Sequence, residues 1–346
     1  MKYNMSQWML ELLHAPIKKA LPILSFPSVQ LLGINVCDLI NDSTMQARGM
    51  KAVAERTPDA AASVSLMDLS VEAQCFGAAI HISDHEVPTV ISPVLPIDAS
   101  ADERMAMALA LEVPAIGSGR THIYIDAVRQ AANLITDRPV FAGVIGPFSL
   151  AGRLMDVSAS MLYCYDEPDM VHQVLCKATD FIIQYAQAFK EAGANGVIIA
   201  EPLAGLLSPT LAQEFSGYYC RKIVTAVQDD YFAVIYHNCG NTTHTTLQSI
   251  LSCGAAAYHF GNAVDMRSIL ESVPAGTICM GNIDPAREFR NGTPESIQAT
   301  TMALMAECCP YPNFVISSGC DIPPLSDWQN IDAFFRAVRT FYISAQ

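Results

Sequence analysis

The chain has 346 residues, 51% of them hydrophobic and only 16% charged, which supplies one large core and argues against disorder. Its formal charge is −14, with 20 lysines and arginines against 34 aspartates and glutamates. That balance lacks the clustered cations that grip polyphosphate and argues against nucleic acid as a partner.

No apolar run reaches the roughly 18 residues needed to cross a membrane. The N-terminal stretch "MKYNMSQWMLELLHAPIKKALPIL" is an amphipathic helix interrupted by Pro16, without the cleavage site of a signal peptide, so a cytoplasmic location follows by default. Further along, a rhythm sets in of short apolar runs, each ending in a polar residue and followed by a helical stretch. The runs expected as strands are 62–66, 78–82, 140–145, 196–200, 232–237, 256–260, 277–281 and 314–317. Helix starts are punctuated by Pro168, Ser208-Pro209, Asp284-Pro285, Thr293-Pro294 and the capping box Ser326-x-x-Gln329. Strands apolar on both faces that alternate with helices imply a parallel sheet. Eight of them imply a single (β/α)8 barrel over residues 61–346, with residues 1–60 as a helical extension packed on it.

In such barrels chemistry sits at the C-terminal ends of the strands. Those ends carry Asp84, Gly146-Pro147, Glu201, His237 with Cys239, His259, Asn282 with Asp284, and Cys320. The stretch "YHNCGNTTH" stands out. On an extended strand, residues two apart point the same way, so His237 and Cys239 aim at one point over the barrel mouth. Cys320 leaves the eighth run in "SSGCDIPP". One imidazole and two thiolates suit Zn²⁺ with a fourth position left for substrate. Burial in the core is the bland alternative for an isolated H-x-C pair. The eleven cysteines, an odd number in a chain without export features, are not expected to form disulfides.

The segments "HNCG", "GNIDP", "SSGCDIPP", "GPFSLAG" and "EAGANGVIIAEPLAGLLSP" resemble the uroporphyrinogen decarboxylase superfamily, from about residue 60 to the C-terminus. Within it, the MtaA/CmuA-like branch of cobalamin-dependent methyltransferases is the closer likeness, because that branch holds zinc through its H-x-C…C signature and the decarboxylases need no metal. The resemblance implies a TIM barrel that moves a methyl group from a methylcorrinoid, such as methylcobalamin on a partner corrinoid protein, to a small thiol. Coenzyme M, homocysteine and tetrahydrofolate all remain open as acceptors.

Other rim residues keep two readings each. Glu201 is either a displaceable fourth zinc ligand or a rim carboxylate capping a helix. Asp84, in "HISDHEVPTV", resembles the decarboxylases' catalytic aspartate in its "SD" context and otherwise belongs to a loop. His259 is a partner of the metal ligands, a corrin contact or a core histidine. Asn282 and Asp284 lie in a family motif and are candidate substrate contacts, although Asp284 also reads as a helix N-cap. His244, Cys308, Cys309 and the methionine-rich stretch 105–114 are expected to be structural. Two rival functions are uroporphyrinogen decarboxylation and a non-catalytic corrinoid- or zinc-binding module. Residues 1–47 contain no arginine, which counts against an eight-carboxylate substrate.

Overall fold

A computed structural model describes residues 3–344. Its strands are β1 (Ser63–Val64), β2 (Ala79–His81), β3 (Thr89–Ser92), β4 (Val140–Ile145), β5 (Gly196–Ala200), β6 (Ala233–Asn238), β7 (Ala257–Phe260), β8 (Ile278–Ile283) and β9 (Phe314–Ser318). Seven of these form one parallel sheet in the order β1-β4-β5-β6-β7-β8-β9, with helices between successive strands. The sheet curls into a TIM barrel.

The edges of the sheet are joined by residues 20–24. Leu21 N donates to the Ile316 carbonyl at 3.0 Å, and Ala61 N donates to the Ala20 carbonyl at 2.7 Å. Ile23 N donates to Ser318 Oγ at 3.0 Å. β1 pairs directly with β4, so residues 78–82 do not take the place in the wall expected of them between those strands, and the N-terminal segment supplies the eighth place between β9 and β1. Pro22 has no N–H for a ladder, so this stretch does not read as a strand. Residues 78–82 instead contribute β2, which pairs antiparallel with β3. Its alternating exposure suits a hairpin at the surface rather than a barrel wall.

Two apolar layers follow from the alternation along each strand. Inward residues, including Phe141, Ile198, Ala200, Ala233, Ile235, Ala257, Met280 and Val315, form one cluster inside the barrel. Outward residues such as Val197, Ile199, Val234 and Tyr236 join the larger layer beneath the helices. Each fully buried side chain of this size contributes about 1.5–3 kcal/mol. The helix Met5–His14 adds Met5, Met9 and Leu12 to the inner cluster. Met5 N bonds the carbonyl of Asp230, ahead of β6, so this helix plugs the N-terminal end of the barrel. The C-terminal end remains open. No described helix is long and apolar enough to cross a membrane.

Candidate metal centre

The parity of β6 decides which side chains enter the barrel. Ala233 and Ile235 point inward, and the same alternation carries His237 and Cys239 inward at the C-terminal end. Asn238, between them, points the other way and fastens the loop. Its Nδ2 donates to the Glu201 carbonyl at 2.8 Å, and its Oδ1 accepts from Gly240 N at 2.8 Å and Thr243 Oγ1 at 2.9 Å. Sequence reading passed over this residue, although its place between two candidate ligands was a signal. Gly261 presses against the same loop: a Cβ there would lie 2.5 Å from Cys239 Cα. Only glycine allows this approach.

Cys320 follows β9 and completes the set. The ligand atoms of His237, Cys239 and Cys320 all lie within 4.8 Å of one another. His237 is 2% exposed, and its Nε2 is buried with no hydrogen-bond partner. A buried polar nitrogen without a partner is costly, so this one is explained by an acceptor of its lone pair. Interaction with the neighbouring Cys320 thiol holds Cys239 below the usual thiol range. The same interaction, reinforced by burial, pushes Cys320 up to about 12. A cation here would offset the rise at Cys320 and hold Cys239 lower still, because metal ligation stabilises the thiolate outright. Nitrogen plus two sulfurs is a zinc donor set. The residues fit that ion.

Behind His237 lies a chain of hydrogen bonds that begins with His259, its register partner on β7. His237 Nδ1 meets His259 Nδ1 at 2.8 Å, His259 Nε2 meets Ser317 Oγ at 2.7 Å, and Ser317 Oγ donates to the Leu21 carbonyl at 2.6 Å. A carbonyl only accepts, so the serine proton goes there and the serine oxygen must accept from His259 Nε2–H. His259 Nδ1 is then the acceptor for His237 Nδ1–H. The chain ends with the lone pair of His237 Nε2 facing the two thiols. Burial, with His237 beside it, drives His259 well below the ordinary histidine range and keeps it neutral.

A cavity of about 530 Å³ opens over this group. Ile23, Met67 and Leu69 supply an apolar wall, residues 86–89 of the β2–β3 hairpin overhang it, and Arg153 and Asp321 also face it. Sequence reading named neither Arg153 nor Asp321. Arg153 carried a signal, as the one charged residue in "GPFSLAGRLM".

The remaining candidates are placed as follows. Glu201 follows Ala200 and so points outward, away from the metal group. Its carboxylate accepts from Phe148 N at 2.9 Å, Ser149 N at 2.6 Å and Ser149 Oγ, and Cys220 Sγ lies at 3.8 Å. It caps the helix Pro147–Met155, where a negative charge is favoured. The structure gives it the helix-capping reading and does not bring it into the ligand set. Burial pushes its carboxyl up to about 7 against those donors.

Asp84 is exposed and outside the cavity wall; its carbonyl accepts from Val36 N. Asn282 Nδ2 donates to the carbonyls of Gly261 and Val264 at 2.9 and 2.7 Å, which braces the loop against Cys239. Asp284 caps the turn Pro285–Arg290 through Ala286 N and Arg287 N and accepts from Asn262 Nδ2. Neither lines the cavity.

The uroporphyrinogen decarboxylase (URO-D) family profile matches residues 30–341. The chain belongs to the URO-D family. Among URO-D family relatives, it is 26% identical over 279 residues to the methylcobamide:CoM methyltransferase MtbA of Methanosarcina acetivorans, covering 79% of this chain and 78% of that one. It is also 26% identical over 294 residues to the uroporphyrinogen decarboxylase of Coxiella burnetii, covering 82% and 78%. A solved methyltransferase from Methanosarcina mazei superposes with a TM-score of 0.84 over 98% of this chain and 99% of that one, at 22% identity. That likeness fixes the fold. Overall identity does not separate the two activities, so the site has to.

Proposed function

We propose that the protein is a zinc-dependent methyltransferase that moves a methyl group from a methylcorrinoid, carried on a partner corrinoid protein, to a small thiol such as coenzyme M or homocysteine. One observation carries the reading: a buried, partnerless imidazole nitrogen converging with two thiols beneath an open cavity. A decarboxylase that works without metal has no use for this group. A storage module has no use for the cavity above it. The similarity to MtbA supports the choice of donor and acceptor class.

His237, Cys239 and Cys320 would hold the ion. Zinc bound there supplies the Lewis acidity that keeps an incoming thiol ionised near neutral pH, where a free thiol of pKa about 8.5 is mostly protonated. The other work belongs to the chain. Asn238 and Gly261 hold the Cys239 loop, the His259–Ser317 chain fixes the tautomer of His237, and the apolar wall excludes water from the acceptor sulfur. In the overall exchange a thiol S–H becomes S–CH₃, the proton goes to solvent, and cobalt retains the electron pair of its bond to methyl. A cytoplasmic setting, in which the thiols stay reduced, suits this chemistry.

The test combines metal analysis with turnover. The zinc-loaded protein incubated with methylcobalamin and a thiol should produce cob(I)alamin, read by its absorbance. Cys239→Ala and Cys320→Ala should lose both the metal and the reaction while staying folded, because a barrel of this size does not depend on one ion. Full zinc content in both variants would refute the assignment.

A further inference from the structure

We propose that Arg153 is the anion subsite of the acceptor pocket, so that the thiol taken there carries a carboxylate or a sulfonate. This rests on the methyl-transfer reading. Arg153 lies in the last turn of the helix Pro147–Met155 and lines the same cavity as His237, Cys239 and Cys320. Its Nε is buried without a hydrogen-bond partner, and its guanidinium forms no ion pair among the described residues.

Other buried arginines in this fold are satisfied. Arg120 binds Asp68 at 2.5 Å, Ser70 at 2.8 Å and Gln74 at 2.8 Å. Arg138 binds Asp137 and the Thr57 carbonyl, both at 2.6 Å. Arg153 has no such set. Asp68 is already engaged by Arg120, Ser70 and Tyr124. Glu72 gives one oxygen to Ile145 N at 2.9 Å, its other oxygen is partnerless, and burial pushes it up to about 7. Asp321 and Glu86 face the cavity without pairing with Arg153. A helix C-terminus tolerates a cation, which accounts for the position but leaves the donors unused.

Burial lowers the Arg153 pKa from its ordinary value by more than the nearby carboxylates of Glu72 and Asp68 raise it, the mark of a cation whose removal from water is incompletely compensated. An entering anion would complete that compensation. Guanidinium presents a planar fork that matches both carboxylate and sulfonate oxygens. With sulfur at the metal group and the anion at Arg153, the acceptor would be held at both ends.

Calorimetric titration of the zinc-loaded protein with four small thiols tests this. The probes are 2-mercaptoethanesulfonate, 3-mercaptopropionate, neutral 2-mercaptoethanol and cationic cysteamine. The anionic thiols should bind about tenfold or more tighter than 2-mercaptoethanol, with cysteamine weakest. The sulfonate and carboxylate arms show which anion is preferred. In Arg153→Gln the ratio of anionic to neutral affinity should fall to near one, and Arg153→Lys should restore part of it. Equal affinities in the wild-type protein, or an unchanged ratio in Arg153→Gln, would overturn the subsite while leaving methyl transfer standing. Binding of no thiol at all would overturn both.

Discussion

The imidazoles of His237 and His259 meet nitrogen to nitrogen, Nδ1 to Nδ1, at 2.8 Å. One proton occupies that contact, and the Leu21 carbonyl, two residues further along the chain of bonds, dictates on which side it sits. The arrangement leaves His237 Nε2 as a bare lone pair. Partners of this kind are worth about 10–100-fold in metal affinity. His259→Leu should therefore weaken zinc binding by about that factor, measured by competition with a chromophoric chelator. His259→Gln, whose amide can replace part of the chain, should weaken it less. Equal zinc affinity in His259→Leu and wild type would remove His259 from the site.

Glu201 should behave as a helix cap. Replacing it with alanine strands the N–H groups of Phe148 and Ser149 and should cost about 2–3 kcal/mol in urea unfolding. Zinc content should stay near one per chain. A variant of unchanged stability that loses its metal would restore Glu201 to the ligand set.

Stability should fall as pH rises between about 5 and 7. Glu72 and Glu201 each titrate at about 7 in the folded chain against an ordinary value of 4.5, burial being the leading cause for both. Within that window the native state retains protons that the unfolded chain has released, so the stabilisation is complete below 4.5, is lost through 7, and changes no further above it. Each group contributes a slope of at most about 1.4 kcal/mol per pH unit. Glu72→Gln should flatten the profile by one group's share, read from denaturant midpoints at pH 5 and pH 7.5. A variant profile parallel to that of wild type would show that Glu72 is not the proton holder.

Much of the site was legible because strand parity is visible in a sequence. The alternation through 233–239 puts His237 and Cys239 on one side, and the structure places them there with Cys320. The same parity, applied to Ile198, Ala200 and Glu201, already turns Glu201 outward; reading only its place at a strand end missed this. What parity cannot reveal is partnership across the barrel. That His259 bonds His237, and that Ser317 and Leu21 orient both, depends on register between strands far apart in the chain. The N-terminal closing segment was hidden by Pro22, which removes the ladder pattern that marks a strand. Arg153 showed only as a lone charge in an apolar helix; that it is unpaired and faces the cavity is recognised only when its surroundings are known.

The most direct test of the central claim is proton release on thiol binding. Zinc-loaded protein mixed with 2-mercaptoethanesulfonate near pH 7, titrated in buffers of different ionisation enthalpy, should release close to one proton per site. A thiol of pKa about 8.5 enters protonated and must be held as thiolate. His237→Ala should lose this release together with methylcobalamin demethylation. Absence of proton release with any thiol, alongside metal-independent consumption of uroporphyrinogen, would contradict the account and make His237, Cys239 and Cys320 a packing cluster in a decarboxylase.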